Sequence, residues 1–121
     1  MRIVWKLVLV AAVLSLMVLF LSGCAERKGY DSFAQCITGN GVVMFGSETC
    51  PHCQNMKERF GNSFRFIEYV ECNEYIPGAD PDRCVTEGIG YLPTFRFSDG
   101  SKLVGELEFS ILSQKTGCPL P

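Results

Sequence analysis

Residues 49 to 54 read T-C-P-H-C-Q, and this stretch decides how the rest of the chain is interpreted. Two cysteines at this spacing can hold a metal, close a structural disulfide or exchange disulfides with other thiols. Because Pro51 suits the first turn of a helix, we expect Cys50 to cap a helix that runs to about Phe60. Cys50 would then be exposed at the helix N-terminus, and Cys53 would be shielded one turn further in.

A metal site and a structural disulfide are both poor explanations of this pair. Structural zinc needs further ligands besides two cysteines, and the one histidine of the chain, His52, lies inside the motif itself. Cys72 and Cys84 could supply a second pair, but their spacing fits no common zinc motif. A disulfide across so small a ring adds little stability, because it constrains almost no chain. We therefore expect neither a metal nor another cofactor.

Thiol–disulfide exchange explains the motif better. Unpaired N–H groups and the positive end of the helix dipole favour the thiolate form of a cysteine at a helix N-terminus. His52 lies in the same turn and can add a charge or a hydrogen-bond donor to that sulfur. Cys50 is then the nucleophile that forms a mixed disulfide with a partner, and Cys53 is the resolving cysteine that attacks it.

Outside the motif, the hydrophobic pattern predicts an alternating α/β domain. The residues at 42–45 are all apolar, as expected of a strand buried on both faces. In chain order we expect a helix from a capping box at 32–35 to Gly39, a strand at 42–45, the helix at 50–60, a strand at 64–70, a loop at 72–81, a helix at 82–87, strands at 94–97 and 102–107, and a helix at 108–116. Asp99-Gly100 is a strong hairpin signal between the last two strands. This order implies a four-stranded mixed sheet with helices on both faces.

Two stretches together resemble a thioredoxin-fold protein. They are MFGSETCPHC at 44–53 and GIGYLPTF at 88–95, and the resemblance covers residues 31–118. Pro93 matches the cis-proline that faces the active site in this family. The resemblance implies that Leu92 pairs with a bound substrate strand, and we expect its neighbours Tyr91 and Thr94 to contribute to substrate binding.

Within this superfamily, the chain is similar to the thioredoxin-like domains fused to, or partnered with, bacterial and archaeal vitamin K epoxide reductase homologues. The matching stretches are 43–46, 50–54, 69–72 and 116–119. Those domains accept a disulfide from a quinone-linked membrane enzyme and deliver it to secreted proteins. The resemblance therefore implies exported proteins as substrates and a membrane redox partner of the vitamin K epoxide reductase or DsbB type. The Pro-His dipeptide is also that of DsbA-type oxidases, whose disulfide is easily donated.

One residue departs from thioredoxin, which keeps a buried aspartate at the place of Met44 to take the proton of the resolving cysteine during reduction. Methionine cannot do so, and we assign the nearby Glu48 only a minor part in proton transfer. The departure favours an oxidase over the alternative, a reductase or isomerase fed by a membrane electron donor. A non-catalytic binding module on the same fold is the alternative from another class.

Residues 1–23 have the composition of an export signal. Arg2 and Lys6 precede a long apolar run, as the positive and hydrophobic regions of a signal peptide do. An uncleaved membrane anchor is the alternative, because the run nearly suffices to span a bilayer. Either interpretation places the rest of the chain on the extracytoplasmic side, in the periplasm or at the cell exterior.

The apolar run ends in Leu-Ser-Gly-Cys, which resembles the lipobox of bacterial-type lipoproteins. On that interpretation, which we favour, Cys24 becomes the lipidated first residue of the mature protein. Residues 24–30 would then be a tether, and residues 31–121 would form the single thioredoxin-like domain.

The remaining cysteines and the charge complete the expectations. Outside the reducing cytosol, the seven cysteines of so short a chain should mostly be paired. Those outside the motif can be paired in more than one way; the resemblance implies Cys72 with Cys84 and Cys36 with Cys118. The formal net charge is −2 at pH 7, and without a basic patch we expect no nucleic-acid partner. Nothing suggests a dimerisation segment, so we expect a monomer.

Overall fold

The structure, a computed structural model, describes residues 1–20 and 29–121, with side chains for 1–15 and 29–121. The first helix, α1, spans Arg2–Phe20. Among the described residues, no helix combines the length and the apolar character needed to cross a membrane. The expected lipidation site, Cys24, and most of the expected tether lie outside the described residues.

From residue 29 onward, the structure alternates helices and strands in the predicted order. The elements are α2 (Asp31–Gly39), β1 (Val43–Gly46), α3 (Pro51–Phe60), a 3₁₀ helix (Gly61–Phe66), β2 (Glu68–Glu71), α4 (Pro81–Thr86), β3 (Thr94–Arg96), β4 (Lys102–Val104) and α5 (Phe109–Thr116). The Asp-Gly hairpin predicted between the last two strands is present, with β3 and β4 paired antiparallel.

The four strands form one mixed sheet in the order β2-β1-β3-β4. Strand β1 is central, pairing parallel with β2 and antiparallel with β3. All four of its residues are buried, because successive side chains of a strand enter opposite faces and both faces of this sheet are covered. The four-stranded mixed sheet with helices is the predicted fold class, and it is consistent with a thioredoxin-like fold.

Two hydrophobic cores lie on the two faces of the sheet. The larger one surrounds Met44 and Phe95, which are register partners on β1 and β3. Side chains from three helices, α2, α3 and α5, complete it: Phe33, Ile37, Met56, Phe60 and Leu112. The smaller core joins Val43 and Phe45 to Val70 and to Cys84 of α4. Helix α3, which begins at the cysteine motif, is therefore anchored on the larger core.

The predicted strand at 64–70 is wrong in its first half. Residues 61–66 form the 3₁₀ helix, and β2 begins only at Glu68, whose partner Val43 is the first residue of β1. Residues before Glu68 have no β1 residue opposite them in this register, so their strand propensity is not realised. The Phe64 ring instead packs against Phe60 at 6.4 Å between centroids.

Two element ends also differ from the expectations. The capping box at 32–35 is absent, because α2 begins at Asp31 and its N-cap residue Tyr30 makes no side-chain capping bond. The last strand stops at Val104, short of the expected end at residue 107. Gly105 follows with φ +99°, a conformation that ends the extended backbone and that glycine adopts readily.

Two disulfides hold the outer parts of the domain. Cys36 of α2 is bonded to Cys118 after α5, with an S–S distance of 2.09 Å, and Cys72 after β2 is bonded to Cys84 of α4 at 2.01 Å. This is the pairing that the resemblance implies. It leaves Cys50 and Cys53 as free thiols.

Candidate active site

The cysteine motif lies where β1 ends and α3 begins. Cys50 is the N-cap residue, with extended backbone angles (φ −94°, ψ 114°), and Pro51 occupies the first turn of the helix. The backbone N–H of Cys53 donates to the Cys50 sulfur at 3.4 Å. This sulfur takes the place that a serine or aspartate oxygen usually occupies at a helix cap. The half-buried Cys50 sulfur therefore pairs with one of the N–H groups that the first turn of a helix leaves without a backbone partner.

The second motif stretch meets Cys50 across the sheet. Strands β1 and β3 are antiparallel neighbours, with Phe45 opposite Thr94, so the loop before β3 lies beside the start of α3. The peptide bond from Leu92 to Pro93 is cis, as the resemblance implies. The Cys50 thiol donates to the Leu92 carbonyl oxygen at 3.8 Å. Cys50 and the Leu92–Pro93 peptide thus form one surface.

The neighbours of this peptide have different surroundings. Tyr91 is exposed (75%). Thr94, however, is 2% exposed, and its hydroxyl donates to the Tyr91 carbonyl at 2.6 Å. Thr94 therefore supports the loop from inside, and its side chain is not placed to contact a partner directly.

Glu106 is a residue of the site that the sequence did not indicate. His52 donates from Nδ1 to Glu106 Oε1 at 2.6 Å, and Asn55 donates to the same oxygen at 2.9 Å. The hydrogen bond from His52 is the main reason that the pKa of Glu106 is lowered. Glu106 follows β4 and is far from the motif in sequence. Because it accepts the hydrogen bond from Nδ1 of His52, Nε2 is the ring nitrogen that points away from the carboxylate.

Cys53 is buried directly behind Cys50 and is 0% exposed. Burial raises the pKa of Cys53 to about 12, and the neighbouring Cys50 sulfur adds to the effect, whereas a backbone hydrogen bond from Ser47 and, to a smaller extent, the positive charge of Lys57 act in the opposite direction. Met44 belongs to the same buried cluster and offers no carboxylate. The two cysteines therefore differ as a nucleophile and a resolving thiol must: one is accessible and the other is protected.

Gly46, at the end of β1, allows a tyrosine to approach Cys53. A Cβ atom at this position would lie 2.8 Å from Tyr69 Cε2, 3.1 Å from the Tyr69 hydroxyl and 3.2 Å from Cys53 Sγ. Real Cβ atoms essentially never come as close as 2.8 Å to another heavy atom, so a side chain at this position would force the Tyr69 ring to shift. Tyr69 on β2 is thereby a near neighbour of the resolving cysteine.

A group of charged side chains surrounds this tyrosine. Lys57 forms an ion pair with Glu48, and its Nζ lies 4.1 Å from the centroid of the Tyr69 ring. The hydrogen bond from Lys57 is the main cause of a lowered pKa at Glu48. The Tyr69 hydroxyl donates to the buried Glu71 at 2.9 Å. Burial, and then this bond, raise the pKa of Tyr69. Lys57 could have been found from sequence, since it lies four residues after Cys53 and thus on the same face of the helix.

The arrangement provides one half-buried sulfur, one fully buried sulfur and the cis Leu92–Pro93 peptide beside them. Such a site can accept a disulfide from one partner and give it to another by two successive exchanges. No group of three or more histidine, cysteine, aspartate or glutamate side chains within residues 1–20 and 29–121 is arranged to hold a metal.

Comparison with known proteins supports a redox function at a general level. A curated Arabidopsis thaliana protein named thiol-disulfide oxidoreductase LTO1 is 32% identical in an alignment of 93 residues that covers 74% of this chain and 24% of that protein. The chain thus spans about a quarter of the length of this relative. No family model matches the chain. The name of the relative and the cysteine pair agree on thiol–disulfide chemistry.

Proposed function

We propose that this protein is a membrane-tethered thiol:disulfide oxidoreductase that oxidises cysteines of exported proteins through the Cys50–Cys53 disulfide. A quinone-linked membrane enzyme of the vitamin K epoxide reductase or DsbB type would restore that disulfide. One observation carries the proposal: a half-buried cysteine caps a helix, a fully buried cysteine lies behind it, and both are free thiols beside a cis-proline loop.

The direction of electron flow is proposed from the groups around the thiols. The backbone N–H of Cys53 donates to the Cys50 sulfur, and a hydrogen bond that stabilises the reduced form makes the disulfide a stronger oxidant. The fully buried Met44 stands where a carboxylate would assist a reductase. A reductase fed by a membrane electron donor is the alternative in the same chemistry.

The membrane tether and the export of the domain are proposed from residues 1–24. The described apolar side chains of α1 are exposed, among them Ile3, Trp5 and Leu7. An apolar helix without a partner gains free energy when it enters an apolar environment. Exposure of the domain to an oxidising compartment also agrees with its two structural disulfides.

The reduction potential of the Cys50–Cys53 pair tests the proposal. The detergent-purified full-length chain is equilibrated with glutathione buffers, and the thiols are counted by alkylation and mass spectrometry. We expect a potential of about −120 to −180 mV, typical of disulfide donors. A potential of about −270 mV or lower would replace the oxidase by the reductase.

A further inference from the structure

We propose that Lys57 controls the proton of the resolving cysteine: its ammonium group, held in place by Glu48 and the Tyr69 ring, stabilises the Cys53 thiolate. Lys57 is a positioning residue in this role, because it acts on the substrate only through Cys53. The inference rests on the proposed function, since a resolving cysteine matters only if the pair exchanges disulfides.

The placement of Lys57 is unusual for a lysine on a helix surface. Its side chain is only 15% exposed, whereas that of its ion-pair partner Glu48 is 50% exposed. Its Nζ lies 4.1 Å from the Tyr69 ring centroid and 5.4 Å from that of Phe64. These contacts turn the ammonium group inward along the face of α3 that also carries Cys53, four residues earlier.

A nearby cation matters because Cys53 is buried, and apart from the Lys57 charge only a backbone hydrogen bond from Ser47 favours its thiolate. A buried thiolate without a charge partner or hydrogen bond is strongly disfavoured. Met44, on the neighbouring strand, supplies no proton acceptor. The effect of a positive charge on a thiolate is larger in such a site than in water, because the effective dielectric constant is lower.

The other ionisable groups facing this site cannot take the same role. The Tyr69 hydroxyl already donates to Glu71 at 2.9 Å. Glu71 also accepts from the backbone N–H groups of Glu48 and Asn73, at 2.8 and 2.9 Å, and an anion would oppose a thiolate. His52, at the start of the same helix, is 70% exposed in its side chain and is bonded to Glu106. Of these groups, Lys57 alone is both cationic and largely buried.

Cys53 gains a proton in one direction of the exchange and loses it in the other. When a substrate thiolate attacks Cys50 of the disulfide, a new S–S bond forms to Cys50 and the Cys50–Cys53 bond breaks. Cys53 leaves with the electron pair as a thiolate, which then takes a proton. In the reverse step, Cys53 loses its proton, attacks the Cys50 sulfur of the mixed disulfide and releases the substrate thiolate. Lys57 stabilises the Cys53 anion in both directions, and the half-exposed Glu48 links Lys57 to solvent.

A two-phase reaction with the aromatic disulfide 5,5′-dithiobis(2-nitrobenzoate) measures this step directly. In the first phase, the Cys50 thiolate of the reduced full-length chain forms a mixed disulfide and releases one nitrothiobenzoate anion. In the second phase, Cys53 loses its proton, closes the Cys50–Cys53 disulfide and releases the second anion. The rate of the second phase against pH follows the ionisation of Cys53.

We expect Lys57→Gln to slow the second phase at neutral pH and to move its midpoint to higher pH. The thiolate fraction of Cys53 should fall about tenfold for each unit by which its pKa rises. The rate should fall about three- to fourfold, because a more basic thiolate is a better nucleophile. Lys57→Arg, which keeps the charge, should restore most of the rate. Lys115→Gln is the matched control, because Lys115 also lies over an aromatic ring and beside a carboxylate, Phe97 and Asp99, on a different helix.

The possible outcomes separate this inference from the proposed function. If the second phase of Lys57→Gln keeps its rate and its pH midpoint, the role of Lys57 is overturned. A slower second phase with an unchanged pH midpoint also overturns it, because that result indicates a structural effect. An unchanged first phase shows that Lys57→Gln is folded. If Lys57→Gln does not fold, the Lys57→Arg variant tests the inference, and a shifted pH midpoint of its second phase would overturn it. Absence of the second phase in the unaltered chain would instead overturn the proposed function.

Discussion

Helices α3 and α4 begin in the same way and serve different purposes. Each has a proline in its first turn, and each N-cap side chain accepts a hydrogen bond from the backbone N–H three residues later. In α3 the accepting atom is the sulfur of Cys50, whereas in α4 it is a carboxylate oxygen of Asp80, bonded to the N–H of Arg83 at 3.1 Å. The cysteine of α4, Cys84, lies one residue beyond that N–H, is buried, and is bonded to Cys72.

The difference shows what makes a cysteine at a helix start reactive. Both helices offer free N–H groups, so the N-terminus alone does not create a redox site. Reactivity requires that the capping atom be the thiol itself and that a second thiol lie behind it. In α4 the cap is the carboxylate of Asp80, no thiol lies at the cap, and Cys84 serves as a covalent link to Cys72.

The largest expected effect comes from Cys50→Ser, which keeps the cap of α3 and removes its chemistry. Serine is a good N-cap residue, so the free energy of unfolding should change by less than about 1 kcal/mol. Oxidation of a reduced test protein should be abolished, because no other accessible thiol is available in the described domain. Activity and denaturant unfolding of the same sample check both expectations. Oxidation by Cys50→Ser at the rate of the unaltered chain would show that Cys50 is not the catalytic thiol.

Removal of the α4 disulfide should have the opposite effect, lowering the stability of the domain and leaving its thiol exchange intact. The double variant Cys72→Ser with Cys84→Ser opens a loop with a sequence separation of 12, and loss of such a link costs about 3 kcal/mol in the chain-entropy account. The two-phase thiol reaction of Cys50 and Cys53 should remain. Urea unfolding and the thiol reaction test the two parts. Loss of thiol exchange with unchanged stability would mean that this disulfide relays electrons.

The smallest effect is expected at the α4 cap. Asp80→Ala removes the carboxylate that accepts from Arg83 and should lower the free energy of unfolding by about 1 kcal/mol. Asp80→Ser is the matched variant that retains a capping oxygen, and it should recover most of the loss. Both are measured by thermal unfolding at fixed pH. Equal stability of Asp80→Ala and the unaltered chain would show that the α4 cap contributes nothing to folding.

Local sequence patterns predicted the parts of the domain that local contacts determine. The start of α3, its end at Phe60 and the hairpin after β3 depend on residues close in sequence, namely the Cys-Pro pair, Gly61 and the Asp-Gly turn. The four-stranded sheet then follows from the order of the elements. The pattern failed at residues 61–66, where strand pairing, which depends on distant residues, decided the outcome.

The candidate site divides in the same way. Cys50, Cys53 and Pro93 are marked by short motifs, but the groups that surround them are not. Glu106 reaches His52 from 54 residues away, and Tyr69 reaches the Cys53 side of Gly46 only because β1 and β2 are paired. Such contacts follow from tertiary packing, so the sequence alone does not indicate which polar residues lie beside the motif.

The Cys36–Cys118 bond turns the domain into a covalent ring of chain. Its ends are 82 residues apart, and both the cysteine motif and Pro93 lie inside it. A protease that cuts once within the ring, for example at the exposed turn around Gly100, leaves two peptides that are still one molecule. The joined pieces keep a high effective concentration, so a nicked domain can retain its sheet. It should migrate as a single intact species on electrophoresis until a reductant opens the ring and the fragments separate.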